Sequence, residues 1–468
     1  MRQRERSTSR GGRSHGAWRR PSRWDTHRLR RAAAEILAAG LRAADPERLV
    51  AAHLRVDRTS LRVAGLTHRF AGGRLVVVAA GKAASRMARA AERALGPRID
   101  RALAIDVSDA VPLARTRRIL AGHPVPDARG LEAAREVEWL VRGLGPGDLA
   151  LVLLSGGASA LLPAPVDGIV LEDKAALTAQ LLRAGATIAE INAVRKHLSR
   201  LKGGGLVRAA VPARVACLVL SDVVGDDLST IASGPTVPDP TTYADALDVL
   251  RGRGLLDSAP IAVRRHLEAG AAGERTETPK PGDPTFRGVA TRIIGSNRLS
   301  VDAGARAARR LGLRPLVLTT RLEGEAREAA RVLAAMLREC VEESRPASPP
   351  VCLLAGGETT VTVRGPGEGG RNQELAVAAA IPLGTFPSAA VVASLATDGI
   401  DGVGGAAGGV ADDQSLRRAR QLGLAAPAAF LEANDSRAFL ASLGDLIVTG
   451  PTGTNVVDLT VLLAGPRG

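Results

Sequence analysis

Short runs of consecutive apolar residues alternate along this chain with longer stretches whose apolar positions recur at helical spacing. The run LVVVAA (75–80) is apolar throughout, as are the runs near 102–106, 149–154 and 215–220. Strands apolar on both faces are buried on both, which predicts a parallel sheet with helices over each face. Helical spacing over 27–56, 83–95, 130–143 and 171–185 supplies those helices. The Gly-, Pro- and Thr-rich segment 268–287 reads as a linker. Beyond it the alternation resumes, with strands at 290–294, 315–319, 351–354, 359–363, 389–396 and 457–463. Helices are expected at 299–311, 323–344, 371–380 and 413–422. The pattern predicts two α/β domains, 27–267 and 288–468, with an active site in the cleft between them.

Composition narrows this picture. Hydrophobic residues make up 45% of the chain and aromatics only 2%, so the cores must be built from Ala, Val and Leu. No apolar run approaches the ~20 residues of a membrane span. Three cysteines are too few for a disulfide or zinc framework, and Cys217 and Cys352 fall in strand-like runs where they are expected to be buried. A reducing cytoplasm is the simplest compartment for such a chain.

The net charge of +15 first suggests a nucleic-acid partner, but its distribution does not. Eleven Arg against Glu5 and Asp25 give residues 1–31 a net +9, most of the excess, and the arm 1–26 within that stretch lacks apolar periodicity. That arm is expected to be disordered. A solvated tail, a polyanion-binding arm and a targeting peptide compete for it, and it lacks the apolar segment of a secretory signal. So few aromatics leave no stacking platform for single strands, which argues against a nucleic-acid partner.

The candidate chemistry lies at strand ends. Ser155-Gly156-Gly157 closes the run 149–154, where backbone N–H groups can approach an anion; a plain tight turn is the alternative. No G-x-x-x-x-G-K-[ST] string occurs, so the charge must come from elsewhere. Gly81-Lys82 follows LVVVAA and would aim an ammonium at the same sheet edge. EINAVRKHLSRLKGGGL (190–206) carries Asn192, Arg195, Lys196 and Lys202 in one helical run capped by glycine, either to steer a polyanion or as an ordinary basic face. His197 in that run reads as a structural hydrogen-bonder. Asp222, Asp226 and Asp227 after VACLVL are hard oxygen donors suited to Mg²⁺, with Asp227 also placed to cap a helix. In the second domain, Glu358, Arg371 and Asn372 flank a glycine-rich turn, and Asp398 and Asp401 follow a strand. Thr452, Thr454 and Asn455 lie in a hydrogen-bonding turn. Cationic, acidic and glycine-rich strand ends in both lobes fit phosphoryl transfer.

Long strings in this chain resemble those of the type II glycerate kinases, the MOFRL family. They include AAGKAA, GHPVPDARG, SGGASALLPAP, EINAVRKHLSRLKGGGL, SDVVGDDLSTIASGPTVPDPTT, GGETTVTV, GRNQELA, ATDGIDG and TGPTGTNV, and the likeness runs from about 27 to 464. The resemblance implies two α/β/α three-layer domains, the first Rossmann-like, with a cleft between them. It implies ATP-dependent phosphorylation of D-glycerate at its 2-hydroxyl, giving 2-phosphoglycerate and ADP with Mg²⁺. By the same analogy Lys82, Arg371 and Asp398 form the reaction centre, with Asp222 or Asp398 as proton acceptor or, with Asp226, as metal ligand. A homo-oligomer is compatible with this reading.

The chain departs from the family where Val403-Gly404-Gly405 follows ATDGIDG in place of the usual Pro-Thr-Asp. A further alternative is a hydroxypyruvate reductase, whose only dinucleotide-like string here is Gly402-x-Gly404-x-x-Ala407. A catalytically inactive sensor of glycerate or ATP is another.

Overall fold

The computed structural model describes residues 24–108 and 111–467. Most of the arginine-rich arm therefore lies outside the described residues. Six strands form the first sheet, in the order Arg117–Leu120, Arg101–Asp106, Leu75–Ala80, Leu149–Leu154, Arg214–Leu220 and Val289–Gly295. Every neighbouring pair is parallel, and chain order reverses between Leu75–Ala80 and Leu149–Leu154. This is the doubly wound arrangement, in which ligands collect outside the carboxyl ends at the reversal. Leu75–Ala80 and Leu149–Leu154 are buried at every position, as their unbroken apolar sequence requires.

The second sheet is mixed. Its order is Arg314–Leu322, Val351–Gly357, Asp458–Ala464, Ala390–Ala396, Gly408–Asp412 and Leu446–Ile447. Only the first pair is parallel. Apolar runs report burial on both faces and carry no information on strand direction. The antiparallel strand Asp458–Ala464 has one functional consequence. Its amino end lies beside the carboxyl ends of both neighbours, with Asp458 in register with Gly357 and Ala396. Apolar cores cover both faces of each sheet, giving two three-layer α/β/α units.

The expected domain boundaries shift. The strand near 290 pairs with Arg214–Leu220 and completes the first sheet. The segment 268–287 packs against the first domain: Glu277 accepts from His197 at 2.9 Å, and Thr278 Oγ1 donates to Asp239 at 3.1 Å. The expected helix 27–56 is two helices, Thr26–Ala43 and Pro46–His53, because Pro46 lacks a donor and takes a first-turn position behind the Asp45 cap. Thr26–Ala43 buries Leu29, Ile36 and Leu37 against Val301, Leu354 and Val391 of the second domain. The chain thus begins on the second unit, builds the first, and returns. The 359–363 run makes only an isolated bridge, Glu325 with Thr360. Cys217 and Cys352 are fully buried, as expected. Among the described residues no helix is long and apolar enough to cross a membrane.

Candidate active site

The loops leaving the two central strands of the first sheet are fastened to each other. Lys82 N–H donates to the Gly156 carbonyl at 2.8 Å, and Ala83 N–H donates to Ser155 Oγ at 3.0 Å. Gly81, at φ +124°, allows this approach; a Cβ there would meet Ser155 O at 2.4 Å. Ser155 is fully buried and acts as this fastener.

The two glycines after it make room for side chains. A Cβ on Gly156 would fall 2.1 Å from Asp222 Oδ2 and 2.8 Å from Asn455 Nδ2. One on Gly157, at φ +85°, would meet the His123 ring at 2.9 Å and the Lys82 stem at 3.4 Å. The turn thereby gathers Asp222, Asn455, His123 and Lys82 around one point.

Two contacts cross from the first sheet to the second. Lys82 Nζ lies 3.0 Å from Asp398 Oδ2. Asn455 Nδ2 donates to Asp222 Oδ2 at 3.3 Å. Asp398 is fixed on its other oxygen by Ile400 N–H at 3.0 Å. Burial and the facing Glu358 push the Asp222 carboxyl up to about 6, against the pull of Lys82. Burial and the Lys82 ammonium hold His123 below the usual imidazole range, against the pull of Asp398. The Lys82–Asp398 pair and Asp222 thus come together where the carboxyl ends of both sheets converge.

Comparison with known proteins agrees with this architecture. The model of the domain of unknown function DUF4147 matches residues 32–268, and that of the MOFRL family matches 351–458. The glycerate 2-kinase of Pyrococcus horikoshii is 39% identical over 94% of this chain and 98% of its own length. The crystal structure of glycerate kinase from Thermotoga maritima superposes with a TM-score of 0.83 at 39% identity, covering 94% of this chain and all of that one. The chain belongs to the MOFRL family of glycerate kinases. A provisionally named hydroxypyruvate reductase of Agrobacterium vitis is also 41% identical over 84% of this chain and 88% of its own.

In this glycerate-kinase fold the residues singled out in the sequence have different fates. Lys82, Asp398, Asp222, Asn455, Gly156 and Gly157 come together as described. Glu358 joins them electrostatically through Asp222, and Arg371 lies one contact further out. The Arg371 fork bonds both Asp458 oxygens, at 2.6 and 2.9 Å, and reaches Glu358 at 3.1 Å. Arg371 therefore orients the carboxylates of the site.

Several others are structural. Asn372 is buried between Asp401 Oδ1 (3.1 Å) and the Ser394 hydroxyl (2.6 Å), and Asp401 caps the helix Arg371–Leu383. Lys196 pairs with the buried Asp239 at 3.2 Å, and Asn192 accepts from Ser233 Oγ. Thr452 Oγ1 donates to the Thr397 carbonyl and Thr454 Oγ1 to the Ala44 carbonyl. These four and Asn372 each have a side-chain partner inside the fold, away from the Lys82–Asp398 contact. The helix carrying Lys196 ends at His197, and Gly204, at φ +80°, starts the next helix instead of closing this one.

Arg195 and Lys202 stand apart from that group. They line a cavity of about 360 Å³ together with Lys174, Ser159, Gly157 and His123. His123 and Lys174 lacked any sequence signal tying them to a partner, although GHPVP is a distinctive string and Lys is scarce here. Asp226 sits in a tight turn at φ +60°, and among the described residues no three His, Cys, Asp or Glu form a metal-binding group. The expected metal set of Asp222, Asp226 and Asp398 is therefore not assembled. Mg²⁺ needs only one or two carboxylates, its other positions going to water and phosphate. Asp222 fits that role, because Asp398 already has Lys82 and Glu358 has Arg371, while Asp222 faces Glu358 with no cation bound to it.

Proposed function

We propose that this protein transfers the terminal phosphoryl group of ATP to the 2-hydroxyl of D-glycerate, giving 2-phosphoglycerate and ADP in the cytoplasm. The observation that carries the reading is the Lys82–Asp398 contact at 3.0 Å. It joins the carboxyl ends of both sheets beside the Gly156–Gly157 turn, in a chain of the glycerate kinase family. Phosphoryl transfer asks a protein chiefly for positioning and for charge stabilisation.

Lys82 carries the charge. Its ammonium lies at the cleft, where negative charge on the transferred group builds, and Asp398 holds it in place. As the glycerate O2–P bond forms and the bond from P to the ADP oxygen breaks, the 2-hydroxyl proton passes to Asp398, and ADP leaves as the anion. Gly156 and Asn455 fix Asp222, and Arg371 fixes Glu358. Asp222 would hold Mg²⁺, which when bound neutralises charge on the nucleotide phosphates. The loop Gly402–Gly405, where the chain departs from its family, is exposed, and the Lys82–Asp398 pair forms without it.

Incubation with Mg-ATP and D-glycerate, followed by phosphorus NMR, tests the reading. A 2-phosphoglycerate signal absent in Lys82→Ala supports it, and binding of both substrates without product would replace it with a sensor. The doubly wound strand order and the Agrobacterium relative favour a reductase as the second reading. The first-strand turn, Gly81-Lys82-Ala83, lacks the second and third glycines of a dinucleotide loop. Oxidation of NADH by hydroxypyruvate decides that point.

A further inference from the structure

The cavity behind the Ser155 turn holds more positive charge than its surroundings compensate. Lys174 and Lys202 are buried, at 8% and 4% exposure. Lys174 Nζ donates to the carbonyls of Pro163 (2.7 Å) and Leu198 (2.9 Å). Lys202 Nζ donates to Ser159 O (2.7 Å) and Oγ (2.9 Å). Each ammonium has three donors, so each keeps one free. Arg195 has no hydrogen-bond or ion-pair partner among the described residues, and no carboxylate lines the cavity. Lys196, the next residue on the same helix, shows the usual solution for a buried cation here: its carboxylate, Asp239, is 3.2 Å away. Burial, reinforced by Arg195, pulls the Lys174 ammonium down to about 7, and burial with both neighbours pulls Lys202 well below its ordinary value. Three clustered cations without a counter-charge call for an anion of more than one charge.

Much of the rest of the wall is apolar. Pro124, Val125 and Pro126 form one side, and Leu171 and Leu182 of the helix Leu171–Arg183 belong to the other. Val125 and Leu182 are 67% and 61% exposed. Glycerate, a three-carbon monoanion, would answer one of the three charges and leave those walls wet. A nucleoside triphosphate supplies both a polyanion and a flat ring. Gly157 and His123 belong to this wall and also touch the Lys82 centre, so the cavity opens onto the reaction site.

We propose that this cavity is the nucleotide site, with the polyphosphate on Lys174, Arg195 and Lys202 and the base between the Pro124–Pro126 loop and the helix Leu171–Arg183. The terminal phosphoryl group then reaches Gly157 and Lys82. This inference rests on the kinase reading and deepens it.

Calorimetric titration of the whole protein with the non-hydrolysable ATP analogue AMP-PNP, beside steady-state kinetics, tests it. Arg195→Gln removes a side chain without a protein partner, and Leu182→Glu adds a negative charge at the exposed rim. Both should weaken nucleotide binding at least tenfold and raise the KM for ATP by a similar factor, with the KM for D-glycerate within twofold. Unchanged nucleotide affinity in both folded variants overturns the proposal, as does a KM effect confined to glycerate. The binding arm stands even if the wild type fails to phosphorylate glycerate. Nucleotide binding lost in Arg195→Gln would then keep the cavity while the acceptor reading falls, and no nucleotide binding by the wild type overturns the cavity itself.

Discussion

Replacing Gly156 by Ala isolates what the Ser-Gly-Gly turn contributes. Gly156 lies outside the left-handed region, so an alanine adds no backbone strain there. Its methyl would stand 2.1 Å from Asp222 Oδ2, against an ordinary contact beginning near 3.4 Å. The carboxylate must therefore retreat by about 1.3 Å, or the turn must, and the Asn455 contact opens with it. A misplacement of about 1 Å at a reacting centre costs roughly 100-fold in rate, or about 2.7 kcal/mol of activation free energy. Stability should fall by only about 1 kcal/mol, because the displaced groups are side chains at the cleft and the packed core is untouched. The expected result is a kcat about 100-fold lower, a melting temperature within a few degrees, and a raised Mg²⁺ requirement. Steady-state phosphorylation kinetics and a thermal melt measure all three. A kcat within threefold of wild type would refute the idea that this glycine exists to seat Asp222. Gly157→Ala is a poorer probe, since φ +85° adds backbone strain to the clash.

Other outcomes follow from the same geometry. Lys82→Met should lower kcat by 100- to 1000-fold, about 2.7–4 kcal/mol, as expected for removing a preorganised charge from a developing anion. The melt should barely move, because the Lys82–Asp398 pair is partly exposed. Since the Asp222 carboxyl titrates near 6, kcat/KM should rise with pH through about 6 as it ionises. A metal ligand must lose its proton to bind, so raising Mg²⁺ should move that acid limb to lower pH; a limb indifferent to Mg²⁺ would remove Asp222 from the metal site. With Lys174 titrating near 7 in the empty protein, and an anion raising that value, nucleotide affinity should be steady below pH 7 and weaken above it. Asn372→Ala should cost about 1–3 kcal/mol by leaving Asp401 and Ser394 under-satisfied, with both KM values unchanged where the variant stays folded.

The sequence alone determined the parts that depend on local periodicity and on rare residues. Unbroken apolar runs as short as 75–80 and 149–154, bounded by turn residues, read as strands buried on both faces, so the α/β class and the first sheet were readable. Lys82, Asp222, Asp398 and the Ser155 turn were readable as strand-end chemistry, because strand ends are where an α/β sheet can expose polar groups without breaking its core. Tertiary structure decided the rest. Strand direction in the second sheet is invisible to hydropathy, yet the reversed Asp458–Ala464 strand brings Asn455 and Asp458 to the edge where its neighbours' carboxyl ends lie. Asn372 and Thr454 were singled out in glycine-rich turns, and Lys196 in a basic helical run. Their buried partners, distant in sequence, come from the fold alone. Lys174 and Lys202 gave the opposite lesson: a cation's role is set by whether the fold supplies its counter-charge, and carboxylates close in space are not close along the chain.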